Sequence, residues 1–491
     1  MAFSRLPLFE NNVNRRSLLR GLGGVGAGAI LASLPACSSR MSDDATVTPE
    51  GSPVASPSVG QPSAELRSKN GLLQANLRIA PGMVAFGTGV RWALTVNGQT
   101  PGPTLFAAPG DHLSITLDNQ SGHSTNLHTH GLQVSPTGKA DNPFIEIPNG
   151  TAYVYEIDIP KRHPGGTFWY HPHFHHHVAE QLFAGFFGLI VVEDAVDALP
   201  AVAGAVQRTL ILHDTRIGAT ESAVMSTTPM AQRDGREGDV LVNGLREPAF
   251  EARSDRLERW RVLNASASRF YRLSLDGHAF FVIATDANRL AEPARVETLT
   301  LVPGERVEVL VQHERGGSFA LKSLPVSRGS MGTNPESKLA TFNVSEGGSA
   351  PPLPATVAAF SDLSTVVPLM TRQVVFSMQG QMGGARFLID GKEFDSSRVD
   401  VKVARGTTED WVIRNTSPMD HPFHLHVWPF QVIEQSAAGT PMRAWKDVVN
   451  VPANGSVRLR IPFLEITGKT VFHCHILDHE DAGMMAVIEV S

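Results

Sequence analysis

Residues 96–119, VNGQTPGPTLFAAPGDHLSITLDN, read as a turn, a short strand and a longer strand ending in Asp-Asn. The same order returns at 241–264, LVNGLREPAFEARSDRLERWRVLN, and at 388–415, LIDGKEFDSSRVDVKVARGTTEDWVIRN. Copies this far apart exceed the roughly 20–50 residues of a stacked solenoid unit, so they mark three separate modules. Length agrees, since 491 residues at roughly 150 per domain make about three. Between the copies run short alternating or β-branched stretches, such as Leu113–Leu117, Ala152–Ile157 and Val307–Val311, punctuated by Gly, Pro, Asn and Asp. That is the pattern of an all-β chain of sandwiches or barrels. Linkers rich in Ala, Pro, Gly and Ser at 194–205 and 346–358 place the modules at 67–195, 196–350 and 351–491.

The composition, 42% hydrophobic and 18% charged, is that of a globular protein, and a formal net charge of -6 offers no basic footprint for nucleic acid. Ahead of the modules, Arg15-Arg16 precedes an apolar run from Leu18 to Ala36 that ends at Cys37. Residues 1–37 read as an export signal of twin-arginine type, with Leu34-Pro35-Ala36-Cys37 similar to a lipobox whose cysteine carries a lipid anchor. Arg20 and the glycines argue against a transmembrane span. Residues 38–66, rich in Ser, Pro, Asp and Thr, read as a flexible tether. The expected location is the periplasm or cell envelope, and a monomer is expected. If Cys37 is lost to processing, Cys474 stands alone and no disulfide can form. A lone cysteine in an oxidising compartment is a buried bystander or a metal ligand.

Its neighbours decide between these. Of nineteen histidines, ten fall with Cys474 into four clusters: His128-Thr-His130, His171-Pro-His173, His421-Pro-Phe-His424-Leu-His426, and His473-Cys474-His475 followed by His479 and Met484. On a strand, His-x-His turns both imidazoles to one face. One such pair is ordinary, but four in one chain point to metal. Around Cys474 the two histidines face one way and the thiolate the other, so one strand serves two centres. Cys474 with His421, His479 and a weak axial Met484 makes the set expected of a blue-copper site.

The motifs HTHG, WYHPH, HPFHLH and HCHILDHEDAGMM resemble the four copper motifs of the multicopper oxidase family, in family order, over about residues 70–491. The resemblance implies three cupredoxin-like Greek-key β-barrel domains of the laccase-like branch and about four coppers per chain. It implies a type 1 copper on His421, Cys474, His479 and Met484, and a type 2 copper on His128 and His424. The type 3 pair takes His130, His171 and His475 on one side and His173, His426 and His473 on the other. The middle domain, with His213, His278 and His313, is left as a spacer. His175, His176 and His177 are bystanders or access residues, and His112, His123 and His163 carry no motif. Asp141 and Glu480 match acidic positions that relay protons in bacterial members.

The implied reaction couples four one-electron oxidations to reduction of O2 to water. A phenolic or aromatic donor is the first expectation, and cuprous or ferrous ion the second. No Met-rich insert precedes the last motifs, and Met378 and Met382 are only two thioethers. A copper-free envelope scaffold is the third reading, against which the full ligand set argues.

Overall fold

Each repeated turn places two successive residues in the left-handed region: Asn97 and Gly98 (φ 54° and 79°), Asn243 and Gly244 (54° and 78°), Asp390 and Gly391 (50° and 75°). Positive φ at both central positions is the mark of a type I′ turn, which is why the sequence offers Asn-Gly or Asp-Gly there. The turn's side-chain oxygen also accepts a backbone N–H from an adjacent strand, at Arg78, Ile211 and Val375 respectively. That adjacent strand runs parallel to the Asn-terminated one in all three copies: Leu72–Phe86 with His112–Asn119, Val206–Thr215 with Leu257–Asn264, and Thr371–Gln379 with Thr407–Asn415.

The closing asparagines have a purpose that the repeat alone does not explain. Asn119, Asn264 and Asn415 are buried. Each Nδ2 donates to carbonyls across the loop that follows, at His123 and Ile147, Arg269 and Leu301, Met419 and Val451. Each Oδ1 accepts the amide of the serine two residues on, at 3.0, 3.0 and 2.9 Å. A buried amide satisfied at both ends pins the loop leaving the strand. In the first copy that loop leads to His128 and in the third to His421; in the middle copy it leads to Arg269 and Phe270.

The structure is a computed structural model describing residues 63–86, 89–215, 238–286, 288–380, 385–436 and 443–491. The export signal at 1–37, the tether as far as residue 62, and Met382 lie outside these residues. The described chain forms three cupredoxin-like modules, each a pair of sheets with non-sequential strand neighbours, as a Greek key requires. The first pairs a five-stranded with a four-stranded sheet, and the other two each pair a six-stranded with a five-stranded sheet. Inward positions alternate: along His112–Asn119, Leu113, Ile115 and Leu117 are buried and the residues between them partly exposed. They pack with Leu73, Leu77, Tyr155 and Ile190 into the first core, while Trp411, Phe423, Leu459 and Phe472 anchor the third. The tether ends sooner than residue 66. Glu65–Arg67 is a strand paired parallel with Thr104–Ala107, because Leu66 finds an apolar partner in the first core.

The first and third modules meet beside the histidine motifs. Asp481 accepts the amides of Val178 and Ala179 at 3.3 and 2.9 Å, capping the helix Val178–Ala184 of the first module from the third. Among the described residues no helix is long and apolar enough to cross a membrane.

Candidate metal centre

Two strands and a short helix bring Cys474 to its partners. In the antiparallel pairing of His421–Leu425 with Gly468–Cys474, Phe423 stands opposite Cys474 and His424 opposite His473. The helix Leu477–Asp481 then returns His479 towards the sulfur. Cys474 Sγ lies 3.4 Å from His421 Nδ1 and 3.7 Å from His479 Nδ1, and the two nitrogens are 3.1 Å apart. His421 Nε2 hydrogen-bonds to Ser417 Oγ at 2.8 Å, which leaves Nδ1 turned to the sulfur. Phe387 stacks on His479 with centroids 4.0 Å apart. Burial takes His421 down to about 3, so its ring is neutral, and pushes the Cys474 thiol well up, so a metal must displace its proton.

The two methionines part company here. Met484 is buried in the cluster that contains Cys474, and its backbone donates to His479 O and accepts from Cys474 N. Met485 packs with Val471 and Val487 on the other side of the sheet.

The remaining eight histidines form one buried group across the junction of the first and third modules. None is more than 2% exposed. His128 stands opposite His171 in the pairing of His128–His130 with Gly166–His171. His130 Nδ1 faces His171 Nε2 at 3.4 Å and His475 Nε2 at 3.3 Å. His473 Nε2 faces His173 Nε2 at 3.2 Å and His426 Nε2 at 3.3 Å. His128 Nε2 and His424 Nε2 are buried without a hydrogen-bond partner, while the other nitrogen of each ring is anchored, by Asp141 at 3.0 Å and by the Asp447 carbonyl at 2.8 Å. Rings held from behind with lone pairs converging in front are the arrangement of metal ligands. Burial, then neighbouring rings, holds His171 at about 3, and burial takes His173 to about 4 despite nearby Glu480. Neutral imidazole and an ionisable thiol are the donors copper takes, so the residues fit the metal.

The strand expectation needs one adjustment. Gly468–Cys474 ends at the cysteine, and His475 lies in the bend beyond it, its amide bound to Pro422 O at 2.7 Å. His473 and His475 still reach the histidine group while Cys474 faces His421 and His479.

Two carboxylates flank the group on different sides. Asp141 touches His128 and accepts the Thr129 amide at 2.9 Å, and burial raises its carboxyl to about 7. Glu480 lies 3.0 Å from His473 Nδ1 and 3.5 Å from His173 Nε2. Burial pushes Glu480 up, but the surrounding imidazoles outweigh it and hold the group at about 2.

A third carboxylate escaped the sequence reading. Asp447 Oδ1 lies 3.2 Å from His130 Nε2 and its carbonyl 2.8 Å from His424 Nδ1, so it stands behind two rings of the group. Its one sequence signal is a charge set against the apolar run Val448-Val449. The spacer expectation for the middle module also needs correction. No middle-module histidine joins the group, yet Arg306 of that module pairs with Asp447. His213 bonds the Ala265 carbonyl, and His278 and His313 face each other at 3.3 Å, away from the group. His175 and His176 line a cavity of about 260 Å³ that also touches His173 and Met485, on the approach to the group and outside it. His177 lies beside His123 with the two rings tilted, His112 sits between Glu156 and Asp158, and His163 is tied to Gln133 and Pro164.

Residues 78–197, 211–347 and 368–491 each match a family profile described as multicopper oxidase. The multicopper oxidase mco of Staphylococcus haemolyticus is 29% identical over 408 residues, spanning 81% of this chain and 84% of that protein. The cell division protein FtsP of Edwardsiella tarda is 30% identical over 413 residues, spanning 80% and 84%. A solved multicopper oxidase from Campylobacter jejuni, described as a metallo-oxidase, superposes with a TM-score of 0.77 at 29% identity, covering 88% of this chain and 94% of that one. With its three modules matched in turn and its thiolate and imidazole donors gathered in two buried groups, the chain belongs to the multicopper oxidase family.

Proposed function

We propose that this protein is an exported oxidase that draws single electrons from a phenolic or aromatic reductant and delivers four of them, with four protons, to O2, forming two waters. The observation that carries the reading is the placement of His473, Cys474 and His475. Three consecutive residues divide between the two donor groups, Cys474 in one and His473 and His475 in the other, so the site of substrate oxidation and the site of O2 reduction would be joined by the covalent chain. His421, Cys474, His479 and Met484 would hold the type 1 copper, and His128 with His424 the type 2 copper. His130, His171 and His475, and His173, His426 and His473, would hold the type 3 pair. Bound copper supplies one-electron redox chemistry at each position, about four ions in all. The chain supplies the rest: buried imidazoles anchored from behind, a dry pocket around the sulfur, and carboxylates at Asp141 and Glu480 to hold and pass protons. Export is supported by Arg15-Arg16 and the apolar run to Ala36, and membrane attachment by Cys37.

The Campylobacter jejuni relative favours a second reading, in which cuprous or ferrous ion is the substrate that gives up the electron. The likeness to FtsP raises a third, a scaffold without turnover, which the complete donor set opposes. Oxygen uptake by one copper-loaded preparation, with a dimethoxyphenol, cuprous ion and ferrous ion in turn, separates the three. The expected result is four substrate electrons per O2, with the highest kcat/KM for the phenol. A preference for either ion moves the assignment to metallo-oxidase, and no uptake with any donor overturns the oxidase reading.

The assignment of Met484 has its own test. A weak thioether donor would add electron density and stabilise the oxidised ion, so Met484→Leu is expected to raise the type 1 potential. Met485→Leu, on the opposite side of the sheet, is expected to leave it unchanged. Each ~59 mV is a tenfold change for a one-electron couple, within easy reach of redox titration. A rise in Met485→Leu alone would show that the thioether donor is the other methionine.

A further inference from the structure

We infer that the middle module is a positioning element of the histidine centre, acting through Arg306 on Asp447 and through the Pro303-Gly304 turn on His475. The inference rests on the copper reading above and assigns the module a part in it.

Arg306 is fully buried at the start of the strand Arg306–Gln312. Its guanidinium grips Asp447 in a paired contact, Nη1 to Oδ1 at 2.6 Å and Nη2 to Oδ2 at 2.7 Å. Nε donates to the Thr167 carbonyl of the first module at 3.1 Å, and Nη1 also to the Gly304 carbonyl at 3.1 Å. One side chain therefore ties all three modules together. Asp447 is held from its backbone as well, since its amide and that of Val448 donate to Asp286 Oδ2 at 3.2 and 3.4 Å, and Asp286 Oδ1 accepts the Arg306 amide at 3.0 Å. Lys446 completes the frame, 3.2 Å from Asp286 and 2.8 Å from Glu305.

What this frame fixes is ligand orientation. Asp447 Oδ1 faces His130 Nε2 at 3.2 Å, which puts the proton on Nε2 and the lone pair on Nδ1, the nitrogen that meets His171 and His475. The Asp447 carbonyl takes the Nδ1–H of His424 at 2.8 Å, leaving the unpartnered Nε2 as the free donor. A planar guanidinium sets the plane of a carboxylate in a way that a lysine ammonium does not. Two glycines make room for the arrangement. A Cβ on Gly131 would meet Arg306 Nη2 and come within 2.8 Å of Asp447 Oδ2. A Cβ on Gly304 would lie 2.8 Å from His475 Nε2, so the bare backbone of the turn abuts that ring. The glycine after His130 in the first motif thus serves a contact made by a different module.

Simple cohesion between modules is the competing account, and a second buried arginine supplies the control. Arg259 pairs with Glu308, which accepts the Thr167 hydroxyl of the first module at 2.8 Å. Arg259 also pairs with Asp197. The test compares full-length, copper-loaded Arg306→Met, Arg306→Lys, Asp447→Asn and Arg259→Met with the parent. Copper per chain is measured after dialysis against a mild chelator, together with the electron paramagnetic resonance of the non-blue copper and the blue absorbance. The Arg306 and Asp447 variants are expected to hold the copper of the histidine centre about 10- to 100-fold more weakly and to shift its resonance, with blue absorbance retained. Arg306→Lys should recover only part of the loss, and Arg259→Met should lower the melting temperature with the resonance unchanged. Should Arg306→Met fail to fold, the nearly isosteric Asp447→Asn carries the test alone. Parental resonance and copper retention in Asp447→Asn, or equal shifts in Arg306→Met and Arg259→Met, would overturn the inference. A parent that takes up no copper would instead defeat the reading beneath it.

Discussion

Cys474→Ser protein is expected to be colourless, to show only background turnover, and to bind about one copper fewer per chain than the parent. The sulfur is fully buried and lies 3.4 and 3.7 Å from the two Nδ1 atoms that share its site. A serine hydroxyl fits the space but is a hard oxygen donor that stays protonated, so the soft thiolate that gives a blue site its character is lost. His473 and His475 point the other way into the histidine group, and the substitution leaves their nitrogens in place. The visible spectrum and copper content of one preparation check the prediction. Persistence of the blue colour would sink the Cys474 assignment, and loss of all copper would show that the two groups are not independent.

The second large effect concerns protons. Asp141→Asn and Glu480→Gln preserve volume but remove the base, and each is expected to slow O2 reduction by about 10²- to 10⁴-fold. They act at separate points, Asp141 against His128 and Glu480 against His473 and His173. The blue absorbance and its reduction by substrate should be unaffected, because neither carboxylate touches His421, Cys474 or His479 in the contacts described above. Fully reduced protein mixed rapidly with O2 gives the rate directly. Reoxidation at the parental rate in both variants would end the relay proposal.

The fold was legible because its signals are local. An Asn-Gly or Asp-Gly turn and an Asn-terminated strand each lie within a short window, and each recurs three times. The same holds for the histidine motifs, in which neighbours such as His473 and His475 reach one buried group. Other features depend on contacts between residues remote in sequence. Arg306 stands 141 positions from Asp447 in the chain, yet they pair within 2.6 Å, and neither lies in a His or Cys motif. The glycines at 131 and 304 read as turn residues until the side chains across from them are known. Glu65 and Leu66 look like tether because a strand paired parallel to a distant partner leaves no hairpin signal.

The division of the histidines between chain ends makes the centre a latch. His128, His130, His171 and His173 come from the first module, and His424, His426, His473 and His475 from the third, so the full set of eight donors assembles only when the two modules dock. An ion held by donors from both modules, as by His128, His424 and His426, favours the docked arrangement, and thermodynamic linkage then converts metal availability into cohesion. Free ion at about 100 times its dissociation constant adds about 2.7 kcal/mol to the docked form at a single such position. Scarcity of metal loosens the same seam, so the protein's resistance to heat and to proteases becomes a gauge of the copper around it.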